Sequence, residues 1–327
     1  MDIDDEIRQN EGFKNVSLGN VIPASYKDPV IPFLSVDDQA LLNKHRVTAF
    51  EVQVGLHELL GHGSGKLLRK NADGTFNFDE DKVRASLAAD AETLAWYEEG
   101  ESYDSKFTTM SSSYEECRAE CVGLYLSLNR QVLSIFGHEE AAEADDIIYV
   151  NWLSMVWNGA AKALEMYQPQ HKVWLQAHSQ ARFVILQVLI EAGDDFIKIV
   201  KLSDKDGRDD LLLTMDRSKI ETVGKEAIGR FLRKLQVFKS TGNVEAARAM
   251  YDKYSRVADD GDFPFAQWRA MIMDRKQPRK MFVQSNTLLD GEMVRLVEYP
   301  ASQEGLIQSW KERFAQGQAI YQSIETL

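Results

Sequence analysis

The stretch HELLGHGSGK at residues 57–66 decides how the rest of the chain is read. Glu58 directly follows His57, and a second imidazole arrives at His62. In the common zinc-hydrolase pattern the two His stand four residues apart on a helix. Here the interval is five. An α-helix turns about 100° per residue, so side chains four apart diverge by about 40° and side chains five apart by about 140°. Either His57 and His62 do not share an ion, or the helix is locally widened. A π-type turn would return both imidazoles to one face, and such turns are frequent at functional sites. Gly61, inside that turn, tolerates the distortion best. Glu58 would then stand beside the ion, able to take a proton from a water activated there.

Composition narrows the classes. The chain has 327 residues, 44% of them hydrophobic, enough to bury a large core. The net charge of −13 argues against a nucleic-acid partner, which needs basic surface. No run of 18 apolar residues reads as a membrane span. The N-terminal MDIDDEIRQNEGFK is acidic and polar, and reads as neither a secretory signal nor a transit peptide. Two cysteines, Cys117 and Cys121, lie on a helical pattern and read as buried apolar residues rather than a disulfide framework. These features point to a cytoplasmic, soluble protein, expected to be a monomer.

Along the chain, residues 1–30 read as short extended pieces, with Pro23, Pro29 and Pro32 blocking a helix. A helix follows from about Ser35, with Asp37 and Asp38 as candidate caps. It runs into the His motif and ends at Gly63-Ser64-Gly65. Gly65-Lys66 is not a phosphate loop, because Leu60 and Leu67 occupy positions that need Gly and Ser or Thr. Further helices are expected at about 111–128, 139–167, 171–192, 221–240, 244–256, 263–275 and 303–314. A hairpin is expected from Phe196–Val200 and Leu211–Met215, and strand-like alternation recurs at Met281–Leu288 and Met293–Val297. The fold class is mainly α: a helical metal-binding lobe with short β-strand segments at both ends.

A catalytic zinc takes three protein ligands and leaves one position open. The best source of the third is Ser113-Tyr114-Glu115-Glu116-Cys117-Arg118-Ala119-Glu120. Glu116 and Glu120, four apart, share a helix face. One could bind metal while the other accepts a hydrogen bond from a ligating imidazole. Arg118 is expected to point away toward a surface acid. His178 and Arg182 also share a face, and a His beside a hydrolytic zinc can donate to an oxyanion.

These motifs together resemble the dipeptidyl peptidase III family of zinc peptidases. The resemblance rests on HELLGH at 57–62 and EECRAE at 115–120. It extends through EGFKNVSLGNV at 11–21, IYVNWL at 148–153, QARFVIL at 180–186 and DRSKI at 216–220. It implies one Zn2+ per chain held by His57, His62 and Glu116, with Glu58 as general base. It further implies Glu120 as the carboxylate behind a ligand and His178 as the group that stabilises the transition state. Arg182 and Arg279 match arginines that contact an oligopeptide substrate, from which dipeptides are released. The family fold is two lobes around a cleft. Residues 29–278 match its helical zinc lobe, and 1–28 and 279–327 match parts of the β-containing lobe. The chain corresponds to roughly the C-terminal half of that fold. Family residues that hold the substrate N-terminus, and a catalytic Tyr, fall upstream of Met1. A peptide motif ETGE, which recruits a stress-sensor partner in some members, is replaced by AETLAWYEEG. The alternative reading is a truncated zinc- or peptide-binding protein without turnover.

Overall fold

The computed structural model describes residues 30–87, 94–276 and 282–324, with side chains described as far as residue 315. The chain divides into two compact units, Met1–Lys276 and Gln277–Leu327.

In the first unit the Ser35 hydroxyl accepts from the Asp38 backbone N–H and starts helix α1, Val36–Leu56. Ser35, rather than Asp37 or Asp38, is therefore the cap, because its extended backbone aims Oγ into the first turn. α1 passes directly into a π-helical turn, His57–His62. Short helices α2 (Glu80–Leu87) and α3 (Tyr103–Phe107) lead to α4, Ser111–Leu126. After α5 (Arg130–Ile135) come α6 (Ala141–Ala160), a strand pair β1 (Tyr167–Gln168) and β2 (Val173–Trp174), and α7 (Ala177–Glu191). The expected helix over 139–167 stops early. Pro169 restricts Gln168 to extended backbone, and Tyr167–Gln168 pairs with Val173–Trp174 instead.

The expected hairpin forms as β3 (Ile197–Ser203) against β4 (Asp209–Met215), with Ile199 opposite Leu213. Its buried face, Ile197, Ile199, Leu211, Leu213 and Met215, joins the helical core. Three helices close the unit: α8 (Lys225–Thr241), α9 (Val244–Ser255) and α10 (Phe265–Asp274). Gly242 adopts the left-handed conformation that ends α8.

The centre of the unit is α4, packed by α1, the π turn, α7 and α8. Surrounded on all sides, it buries apolar and polar residues alike, including Tyr114, Cys117, Arg118, Glu120 and Leu124. Each fully buried large apolar side chain contributes roughly 1.5–3 kcal/mol. Each buried charge costs several kcal/mol unless it is paired, so the charged residues of α4 must find partners in the interior.

In the second unit β5 (Asn286–Asp290) pairs antiparallel with β6 (Met293–Val297) across Gly291, and α11 spans Gln303–Ile324. The strand begins later than the alternation from Met281 suggested. α11 runs past the expected end at 314, because Gln and Ala continue the helix and a lone Gly317 does not stop it. The extended pieces expected in 1–28 lie outside the described residues. Mainly α, with short antiparallel strand pairs, is the fold class.

Candidate metal centre

The π turn solves the five-residue spacing. It carries His57 and His62 to the same side, with ring centroids 4.7 Å apart and the rings near perpendicular. Two glycines permit it. A Cβ on Gly61 would meet Cα and Cβ of Ala119 at 2.8 Å, so only glycine lets the turn lie this close to α4. A Cβ on Gly63 would sit 2.0 Å from the Leu59 carbonyl oxygen.

Glu116 reaches the turn from α4. Its Oε2 lies 3.1 Å from Nε2 of His57, 3.6 Å from Nε2 of His62 and 3.2 Å from Nε2 of His178 at the start of α7. Yet that oxygen is buried and accepts no well-aligned hydrogen bond. A buried acceptor left unsatisfied costs about 1–3 kcal/mol. A divalent cation shared by the oxygen and the nitrogens would satisfy them, and imidazole with carboxylate is a donor set that zinc accepts. Among the described residues, the metal-capable triad closing within 4.8 Å is His57, Glu116 and His178. His178 thus sits at ligand range, closer in than a remote oxyanion donor.

The other face of each ring separates the three imidazoles. His57 Nδ1 lies 3.4 Å from Oε2 of the buried Glu120. His62 Nδ1 lies 3.1 Å from Oε1 of Glu115. Both rings are therefore carboxylate-held, with Nε2 aimed at Glu116. Among the described residues, the hydrogen-bond partner of His178 Nδ1 is the Gln176 amide, at 3.1 Å, and the His178 side chain is 40% exposed.

The carboxylates are themselves tied down. Glu120 accepts from Gln53 Nε2 at 2.8 Å and from Arg182 Nε at 2.9 Å. Gln53 in turn accepts from Asn151 at 3.0 Å. Glu115 takes Arg118 on Oε1 and Lys239 on Oε2. Burial opposes ionisation of Glu120, but Arg182 and His57 hold it well below the usual carboxylate range. Burial likewise opposes Glu115, and His62, Arg118 and Lys239 override it. Glu116 is pushed down to about 2, its burial outweighed by His57, His62 and His178. Burial works against charging His57, yet Glu116 and Glu120 raise it to about 9. Glu115 and Glu116 raise His62 to about 9.

Glu58 lies half-buried on the π turn next to His57, with no side-chain partner among the described residues. Arg182 is committed to Glu120, and Arg279 lies outside the described residues. Arg118, expected at the surface, is completely buried and paired with Glu115, because α4 is enclosed on every side. Sequence reasoning gave no role to Glu115, Gln53 or Asn151. One signal was available: Gln53 precedes His57 by four residues, on the same helix face.

Two imidazoles on a widened turn, facing a helix-borne carboxylate in a helical core, form a candidate metal centre. The chain belongs to peptidase family M49, whose family model matches residues 2–314. It is 54% identical over 310 residues to dipeptidyl peptidase 3 of Nematostella vectensis, and 53% identical over 312 residues to that of Homo sapiens. Each alignment covers 95% of this chain but 42% of the relative, so the chain spans less than half of their length. The fold is similar to that of DPP III from Caldithrix abyssi (TM-score 0.50, 19% identity, 83% of this chain and 42% of that one). It is similar also to dipeptidyl-peptidase III from a Corallococcus strain (TM-score 0.51, 18% identity, 83% of this chain and 40% of that one).

Proposed function

We propose that this chain is a zinc-dependent peptidase of the M49 family that acts on oligopeptides and releases N-terminal dipeptides. The observation that carries the proposal is the convergence of three imidazole Nε2 atoms on the unsatisfied Oε2 of Glu116. We assign His57, His62 and Glu116 as the ligands. A ligating His almost always has its other ring nitrogen fixed by a carboxylate or carbonyl, and His57 and His62 meet that condition while His178 does not.

When bound, zinc would polarise a scissile carbonyl and acidify a water. The remaining chemistry belongs to the chain. Glu58 takes the proton of the attacking water and hands it to the leaving amine. Glu120 and Glu115 fix the tautomers of His57 and His62, leaving each Nε2 lone pair free. His178, at the rim and held by a neutral amide, donates to the developing oxyanion. Residues 29–278 form the zinc lobe in this reading, and 1–28 and 279–327 belong to a second lobe, with Arg279 as a substrate contact. Monomeric state and cytoplasmic residence are part of the same reading; among the described residues no helix is long and apolar enough to cross a membrane.

The test is hydrolysis of a dipeptidyl-arylamide by the purified, zinc-loaded chain and its Glu58→Ala variant. Turnover in the parent, lost in the variant with zinc retained, is the expected result. Zinc binding without turnover in the parent would replace the peptidase reading by a zinc- or peptide-binding protein.

A further inference from the structure

Arg118 is a guanidinium with no exposed surface, and all five of its N–H groups are used. Nε donates to Glu115 Oε2 at 3.0 Å, and Nη2 to Glu115 Oε1 at 2.5 Å. Nη2 also donates to the Gly61 carbonyl at 2.6 Å. Nη1 donates to Ser64 Oγ at 3.2 Å and to Gln236 Oε1 at 3.1 Å.

Two of these contacts bear on one residue. The Gly61 carbonyl belongs to the peptide that precedes His62, so Arg118 fixes the plane from which His62 departs. Glu115, gripped in a fork, accepts from Nδ1 of the same ring. Backbone and ring of His62 are thus set by a single planar group. Ser64 Oγ also donates to the Gly61 carbonyl at 3.1 Å, closing the end of the π turn. Lys239 could balance the charge of Glu115 alone, at 2.6 Å. It cannot replace the fork, because an ammonium is a point charge without the planar geometry that spans a carboxylate and a carbonyl together.

We propose that Arg118 is the positioning residue of the metal centre: it locks the end of the π turn to α4 and thereby brings His62 onto the ion. The inference rests on the zinc reading above and adds the device that makes a five-residue spacing work.

The experiment measures zinc dissociation constants by chelator competition for the parent chain, Arg118→Lys, His62→Ala and the double variant. Cobalt(II) absorption spectra and melting curves of the metal-free proteins are recorded beside them. Arg118→Lys is expected to weaken zinc binding about 10–100-fold, the range for lost support behind a ligand, with a cobalt spectrum shifted toward that of His62→Ala. In the His62→Ala background the same substitution should add little, because coupled residues are not additive. A general packing role would cost the same factor in both backgrounds, and would overturn the proposal. So would parental affinity and spectrum in Arg118→Lys. If Arg118→Lys does not fold, Ser64→Ala with Gln236→Ala removes both acceptors of Nη1. That pair should weaken zinc at least about 3-fold, given the strength of hydrogen bonds from charged donors, and unchanged affinity would overturn the proposal. Absence of zinc binding by the parent would instead sink the metal reading itself.

Discussion

Nδ1 of His57 lies 3.4 Å from Oε2 of Glu120, a carboxylate with almost no exposure, while Nε2 of the same ring lies 3.1 Å from Glu116. One imidazole is held between two carboxylates four residues apart on α4. In the proposed metal centre the rear carboxylate would set the tautomer and the front one would share the cation. Glu120→Gln keeps shape but loses charge, and should weaken zinc binding about 10–100-fold. Chelator competition on the folded variant checks this, and parental affinity would show that Glu120 serves packing alone.

Gly61 is the point at which the turn touches α4. In Gly61→Ala the new methyl would meet Ala119 at 2.8 Å, and Ala119 is backbone-anchored in a buried helix. The two elements must separate, which should cost about 1–3 kcal/mol of stability. Urea unfolding with and without zinc measures it. The loss should be larger with zinc present, because the ligands on the turn and on Glu116 are pulled apart together. Equal losses in both conditions would mean that the turn and the site are uncoupled.

Protonation of the metal-free site sets a pH window. His57 and His62 rise from 6.5 to about 9 in the fold. Their stabilisation is fully present below pH 6.5 and is lost as pH climbs through about 9. Glu116 falls from 4.5 to about 2, so its contribution is present above pH 4.5 and is lost as pH falls toward 2. The zinc-free chain should therefore melt highest between those limits, near pH 5–6. Zinc requires neutral imidazoles, so its affinity should climb with pH up to about 9, and binding at pH 7 should release protons. Calorimetry in buffers of different ionisation enthalpy detects that release. A buffer-independent heat would contradict the raised values.

His62 and His178 are told apart by removing each. His62→Ala should bind zinc weakly enough to give it up on dialysis, while still taking metal added in excess, whereas His178→Ala should keep one zinc per chain and lose turnover. Retention of zinc by the first variant together with its loss in the second would transfer the ligand role to His178, whose Nε2 already closes a triad with His57 and Glu116.

Much of this site was legible in the sequence, and the reason is periodicity. Glu116 and Glu120 fall on one face of α4 by their spacing, and both meet His57. The five-residue interval between His57 and His62 left two readings, imidazoles that point apart or a widened turn with a glycine in it, and the turn is π-helical over His57–His62. Periodicity gives faces but not partners. It could not show that α4 is enclosed on every side, so Arg118 was expected at the surface and is buried. It could not show that Glu115, one residue from Glu116 and rotated by about 100°, meets the second imidazole. Nor could it show that Arg182 spends its guanidinium on Glu120. Those pairings depend on helices brought together from distant parts of the chain.

The most direct measurement is the zinc content of the purified chain and of its His57→Ala and Glu116→Ala variants, by mass spectrometry of metals after dialysis. One zinc per parent chain, with none in either folded variant, is the expected result. A variant that keeps one zinc without His57 or without Glu116 would contradict the metal centre described here.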